Sequence, residues 1–352
     1  MFLLNNKPHR TGSAKKNTDQ FTWLWENTIT YRKEFGIHQI NAVAGYTMQE
    51  ASSEFLELNG QNLLRPGEDF WYFTRDNLNP TLVDIPNGVE NDLNYSLISY
   101  LFRANYTLLD RYLLTFTYRR DGSSKFSSEN RYSDFPSVAL GWNIINESFL
   151  QDSEVLTNLK LRASWGIIGN EKIQYNRQYS RVLNGIGGVF GFNETLYPGA
   201  SYGVSGNENL KWESTYQTDI GIELGFFDDQ LTIEADYYHK TTKDILIDLP
   251  VPGYLGNGVD AKITYNAAEV LNRGFEYNIG WNSGSDDGFR YAINTVGTTI
   301  HNEALKVMGS GDEGDYQPNT AGTTRTAPGN PIGSFFGYIT DGVFQNTQEL
   351  SA

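Results

Sequence analysis

ISYLFRANYTLLDRYLLTFTYRRDGSSKF, Ile98 to Phe126, is the stretch on which the reading of this chain turns. Taken in twos, it sets Ile98, Tyr100, Phe102, Ala104, Tyr106 and Leu108 on one face, and Ser99, Arg103, Asn105 and Thr107 on the other. A minimal turn at Asp110-Arg111 follows, after which Tyr112, Leu114, Phe116 and Tyr118 resume the apolar face. Strict period-2 alternation belongs to a strand with one wet and one greasy side. Each arm is about 8 to 11 residues long, enough for a tilted strand to cross a bilayer. Aromatic rings cap the greasy face, as suits a membrane–water boundary. The segment therefore reads as a transmembrane β-hairpin.

Composition permits this without requiring it. Aromatics make up 14% of the 352 residues and charged residues 20%, while mean hydropathy stays negative at −0.47. A membrane barrel averages in this way because lumen and loop residues dilute a lipid face that uses every second position. No apolar run is long enough for a transmembrane helix. The net charge of −15 repels phosphate backbones, so nucleic acid is not an expected partner. Cysteine is absent, which excludes disulfides and thiolate chemistry and is compatible with export. At the N-terminus, the apolar stretch Phe2 to Leu4 is too short for a secretory signal. The C-terminus, QELSA, is equally plain. Neither end resembles the natural limit of a membrane barrel, and the expectation is a fragment.

Connection lengths test the hairpin reading. Strands are expected at 21–33 and 38–48, joined near Glu34-Phe35-Gly36, and again at 135–144 and 158–167. A tight Asp228-Asp229-Gln230 turn joins 215–226 to the strand carrying Leu231, Ile233, Ala235 and Tyr237. The pair 273–282 and 289–299 turns at SGSDDG. Between these pairs lie longer spans, at about 50–92, 120–133, 169–213, 241–271 and 301–330. Short turns alternating with long loops are what a barrel with a periplasmic and an extracellular rim produces, whereas a soluble sandwich has no reason to sort its loops by parity. Ten or eleven such strands lack a closure signal, and open edges in lipid are prohibitively costly. Further strands outside the chain are therefore expected.

Five segments resemble the SusC/RagA-like branch of the TonB-dependent outer-membrane transporters of Bacteroidetes. They are Arg119-Arg120 with Asp121-Gly122-Ser123-Ser124-Lys125-Phe126; Phe135-Pro136-Ser137 running to Gly141-Trp142; Asn209-Leu210-Lys211-Trp212-Glu213 ahead of Asp219-Ile220-Gly221; Asn272-Arg273-Gly274-Phe275-Glu276; and Pro331-Ile332-Gly333-Ser334-Phe335-Phe336-Gly337-Tyr338 ahead of Asp341-Gly342-Val343-Phe344. The resemblance implies an all-β, antiparallel transmembrane β-barrel. This chain would supply about 10–12 strands of a 22-stranded wall. Residues 1–352 would be a partial barrel domain, with the plug, signal peptide and final strands not present. It further implies a SusD-like surface lipoprotein and the TonB-ExbB-ExbD complex as partners, outer-membrane lipid as the surroundings, and an oligosaccharide or peptide as cargo.

Each motif also has a plain structural reading. Asp121-Gly122 is a turn pair, although Arg119, Arg120 and Asp121 could meet substrate at the outer mouth. Trp212-Glu213 and Arg273-Gly274-Phe275-Glu276 place acids inward beside outward aromatics, where lumenal Arg residues could pair with them. Gly337 and Tyr338 carry only the resemblance. Tyr175, Tyr179, Tyr197, Tyr202, Tyr254 and Tyr316 suit sugar or peptide contact and equally suit loop packing. GSGDEGDY, Gly309 to Tyr316, lacks calcium-loop spacing. His9, His38, His239 and His301 are isolated and show no metal-ligand spacing. No nucleophile elbow, zinc-protease motif or phosphate loop occurs, so no catalytic residue, metal or cofactor is expected. Besides an importer, a passive porin or adhesin barrel and a soluble β-rich glycan-binding protein remain open at this point.

Overall fold

The computed structural model describes residues 12–61, 94–150, 153–173, 177–190, 195–251, 262–283, 288–308, 317–318, 323–338 and 342. The strands are β1 (Gly12–Phe35), β2 (His38–Gln61), β3 (Tyr95–Leu108), β4 (Tyr112–Ser123), β5 (Tyr132–Asn143), β6 (Leu156–Asn170), β7 (Arg181–Phe190), β8 (Thr195–Val204), β9 (Glu213–Phe226), β10 (Leu231–Pro250), β11 (Lys262–Ser283), β12 (Tyr291–Val307), β13 (Gln317–Pro318), β14 (Thr324–Thr326) and β15 (Ser334–Phe335). Ten of them form one antiparallel sheet in the order β1-β2-β3-β4-β5-β6-β9-β10-β11-β12. It is an open sheet, with β1 and β12 as its edges. Every neighbour but one is also a sequence neighbour, and the single skip, from β6 to β9, leaves β7 and β8 as a separate hairpin. Among the described residues, no helix is long and apolar enough to cross a membrane, which says nothing of a β-barrel.

Register fixes the two faces, because directly opposed residues point the same way. Phe116 opposes Ala104 and Val138, which opposes Trp165 on β6. That row belongs to a band that includes Tyr100, Phe102, Leu140, Ile220, Phe275 and Ile293, all exposed. So large a continuous apolar surface is untenable in water and matches the lipid face of a barrel. The opposite face carries Arg103, Thr117, Ser137, Ser164 and Asp219, the polar side expected of a lumen.

One rim is tight. Leu109 and Asp110 both take left-handed backbone, with φ of 57° and 55°, and Arg111 N–H donates to the Leu108 carbonyl at 3.0 Å. Gly36 (φ 59°) turns β1 into β2, and Phe227, Asp228 and Asp229 turn β9 into β10. Aromatic side chains collect at this rim. Phe35 stacks on His38 at 5.0 Å and Tyr112 on Trp142 at 6.3 Å. Glu147, in the β5–β6 connection, ties the rim together. It accepts hydrogen bonds from Tyr112 Oη (2.7 Å), Trp142 Nε1 (3.1 Å) and Arg111 (2.9 Å). The tyrosine donor, then the tryptophan donor, hold its carboxyl below the usual range against the opposing effect of burial, with the Arg111 charge adding a smaller pull in the same direction.

At the other rim the strands outrun the bilayer. β1 and β2 have 24 residues each, more than twice the roughly ten a crossing needs. The long span expected over 241–271 is therefore mostly strand. β10 continues to Pro250, and β11 starts at Lys262. β2 likewise continues into the span expected as loop from residue 50, and β7 and β8 occupy part of 169–213. Outside the lipid there is no greasy face to maintain, so the alternation that marks a strand fades there.

Candidate lumenal wall

The polar face of β3 to β6 and β9 to β11 builds a wall of charge and hydroxyl groups. Arg119 Nε donates to Asp121 at 2.7 Å and its Nη2 to Ser99 at 3.2 Å. Arg103 donates to Thr117, and Thr115 donates to Asn105 at 2.9 Å. Towards the tight rim a second group takes over. Lys160 and Arg162 both approach Glu223, at 3.2 and 3.5 Å, and Arg162 reaches Asp236 at 2.6 Å. Between the two groups, Asp219 accepts from Ser164 at 3.2 Å and from Gln217 at 3.0 Å. Open recesses in the wall include one of about 530 Å³ beside Arg103, Arg119 and Asp219 and one of about 540 Å³ beside Arg162, Asp236 and Glu276. Paired charges facing a wet lumen are cheap to keep, and their hydrogen-bonding edges suit a polar solute.

The residues singled out from the sequence separate into different environments. Arg119 and Asp121 join the wall. Arg120 shares the outward face of Tyr118; its guanidinium lies 3.6 Å from Asp134 and over the Tyr132 ring, so it does not line the lumen. Gly122 directly opposes Tyr132, whose ring fills the space a Cβ would need. Glu276 faces inward beside Asp236. Arg273 shares the outward face of Phe275, so of that motif only the acid lines the lumen. Gly274 faces inward where the Thr299 carbonyl and the Tyr238 ring leave no room for a side chain.

Trp212 departs from the expected outward position. It is 5% exposed, packed against Phe126 at 5.3 Å and Phe135 at 5.6 Å, with Leu210 completing the cluster. Its Nε1 donates to the Arg131 carbonyl at 3.1 Å. Three of the five motifs thus converge on one anchor at the outer end of β4, β5 and β9. Glu213 beside it accepts from Asn170 Nδ2 and from Leu246 N–H, which ties β6, β9 and β10 together. Lys125 continues the anchor, reaching Glu171 at 3.5 Å while it lies over the Tyr95 ring.

Gly337 and Tyr338 stay apart from the wall. Their segment is held to the outer end of β12 by Ile332 N–H donating to Asn302 and by Ala304 N–H donating to the Asn330 carbonyl. Phe335 and Tyr338 project fully into solvent. Tyr179 and Tyr197 are also exposed. Tyr175, Tyr254, Tyr316, His9 and the Gly309–Tyr316 segment lie outside the described residues. Sequence reading passed over Lys160, Arg162, Glu223 and Asp236 as site residues, although each is a charged residue at an inward position of an alternating strand.

Comparison with known proteins agrees with this architecture. The family described as TonB dependent receptor-like, beta-barrel matches residues 5–347. TonB-dependent receptor P3 of Formosa agariphila is 32% identical across 92% of this chain and 31% of its own length. TonB-dependent receptor SusC of Bacteroides thetaiotaomicron is 40% identical across 63% of this chain and 22% of its own. The chain thus spans a third or less of the curated relatives it matches. Among solved structures, that of the RagAB peptide transporter superposes with a TM-score of 0.72 at 23% identity, over 92% of this chain and 34% of that one. Both named relatives are TonB-dependent receptors. This chain belongs to the TonB-dependent receptor β-barrel family, and its sheet is a portion of an outer-membrane barrel wall.

Proposed function

We propose that this chain forms part of the wall of a longer outer-membrane importer that takes up oligosaccharides or peptides. A SusD-like surface lipoprotein would deliver the cargo, and the TonB-ExbB-ExbD complex would supply the energy through a plug encoded outside these residues. Support comes above all from the two-faced sheet, which sets a continuous lipid band behind a charged, hydroxyl-rich lumen. Similarity to SusC and to the RagAB structures adds to it. In this reading Arg103, Arg119 and Asp219 form a hydrophilic lining along which a polar solute passes. The wall does no chemistry; it offers hydrogen-bonding edges and excludes lipid. The Trp212 anchor holds the outer loops in position for cargo and lipoprotein.

The test uses the full-length gene product in its native host. Uptake of labelled oligosaccharide or peptide should require both this gene and a functional TonB. Uptake that persists undiminished without TonB would replace the importer with a passive porin, and recovery of the protein in the soluble periplasm would exclude a membrane barrel altogether.

A further inference from the structure

On the lipid-facing side of β10, β11 and β12, three basic side chains share one row. His239 directly opposes Arg273, and Arg273 directly opposes His301. Directly opposed residues have Cβ atoms about 4.5–5.5 Å apart, so the row is about 10 Å wide. It lies on the face of Tyr237, Phe275, Tyr277 and Ile279, all exposed there, with Phe275 and Tyr277 rings 6.4 Å apart. The two histidines are therefore not isolated, as the sequence suggested, but flank an arginine above an aromatic belt.

Height along the wall decides what this row meets. From Trp281 at the tight rim to Arg273 is eight residue steps, about 26 Å along the strand. At a tilt near 40° this rises about 20 Å, close to the top of an apolar band about 25 Å tall. His301 lies the same eight steps from Ile293, the partner of Trp281, and so shares the ladder position of Arg273. An arginine facing lipid is costly at mid-membrane but nearly free near the interface. The row thus sits where headgroups of the outer leaflet begin.

Charge on this patch is unbalanced. Arg273 makes no ion pair or side-chain hydrogen bond among the described residues, and neither does His239. His301 Nε2 lies 3.2 Å from Glu303. Further out, Lys243 pairs with Glu269 at 3.6 Å, and Lys306 opposes Glu269 across the ladder. Arg273, Lys243 and Lys306 outnumber Glu269 and Glu303 before either histidine is protonated. Thr241, on the same face, supplies a hydroxyl group, while the Thr299 hydroxyl is taken up by the Phe275 backbone.

We propose that His239, Arg273 and His301 form a docking row for the phosphorylated headgroup of an outer-leaflet lipid. The guanidinium fork matches two phosphate oxygens, and the imidazoles flank it as further donors. The acyl chains would lie down the Phe275–Tyr277–Ile279 strip beneath. This inference rests on the membrane-barrel reading above and concerns the outside of the wall, not the transport path.

Native mass spectrometry of the full-length protein, purified in mild detergent and titrated with monophosphoryl lipid A, tests it. Arg273→Gln should bind that lipid about ten-fold more weakly, a change of ~1.4 kcal/mol. Arg273→Lys should recover part of the loss, and millimolar inorganic phosphate should displace little lipid. Equal lipid binding by wild type and Arg273→Gln overturns the row. Ready displacement by inorganic phosphate alone would identify a free-phosphate site and overturns the lipid assignment. Outer-membrane recovery and heat-modifiable migration of each variant are read alongside. Their retention with unchanged lipid binding refutes only the docking row, whereas their absence in the wild type refutes the membrane reading itself.

Discussion

Replacing Phe116 by Arg tests the assignment of faces where it costs most. Phe116 is 41% exposed on the apolar face and directly opposes Ala104 and Val138, so no neighbouring carboxylate can receive a guanidinium. It lies four residue steps from Tyr112 at the tight rim, about 13 Å along the strand and about 10 Å in height. That places it near the middle of the apolar band, too deep for the side chain to reach water easily. Phe116→Arg should therefore cost about 2–4 kcal/mol of barrel stability, which is about 30- to 1,000-fold in the folded-to-unfolded ratio. Thr115→Arg is the matched control. Thr115 faces the lumen, where it bonds Asn105 and has Arg103 nearby, and a hydrated arginine there should cost under about 1 kcal/mol. Denaturant titration of the full-length protein in lipid vesicles, read by heat-modifiable gel migration, measures both. Equal losses at 115 and 116 would refute the assigned facing.

At the tight rim, Glu147→Gln should weaken the tie to Tyr112, Trp142 and Arg111, and the effect depends on pH. A carboxyl held below its ordinary value stabilises the fold above the unfolded pKa, near 4.5, and that contribution fades as pH falls through the lower folded value. Denaturant midpoints of wild type and variant should differ at neutral pH and converge in acid; a constant gap would contradict the charged tie. Gly274→Ala would drive a methyl into the Thr299 carbonyl and the Tyr238 ring, at about 1–3 kcal/mol, and should lower the fraction of heat-modifiable barrel. Normal assembly would show that the ladder relaxes there. Trp212→Ala should open the outer-loop anchor, giving new protease cleavage within 171–212 while the barrel still migrates as folded. Asp236→Ala leaves Arg162 its second partner, Glu223, so assembly should hold while uptake kinetics change; lost assembly would make the pair structural.

How much of this was legible beforehand follows the lipid. Between rims, the bilayer demands a greasy residue at every second position, and Ile98–Tyr118 therefore declared its strands, their facing and their turn. Beyond the outer rim no such demand exists. Residues 241–250 and 262–271 are strand, yet they read as loop because their burial, at Ala267, Ala268, Val270 and Leu271, comes from neighbouring outer strands and segments. β7 and β8 hid among glycines for the same reason. The candidate site was legible in outline, since parity alone puts Arg119, Asp219 and Glu276 inward. Arg273 shares the parity of the outward Phe275, but only the pairing register reveals His239 and His301 beside it. Trp212 misled because it lies just ahead of β9 rather than within it, so its facing is set by packing against Phe126 and Phe135. The family motifs serve packing geometry more than chemistry, as the Gly122–Tyr132 and Phe126–Trp212 contacts illustrate.

The central claim is that one face of this sheet meets lipid and the other meets water. The chain contains no cysteine, so single cysteines at successive positions from 112 to 119 can each be probed in the full-length protein within its membrane. Labelling by a membrane-impermeant maleimide should be fast at 113, 115, 117 and 119 and blocked at 112, 114, 116 and 118. An environment-sensitive dye at the even positions should report lipid. A flat profile, or alternation of opposite phase, would contradict the barrel wall as described.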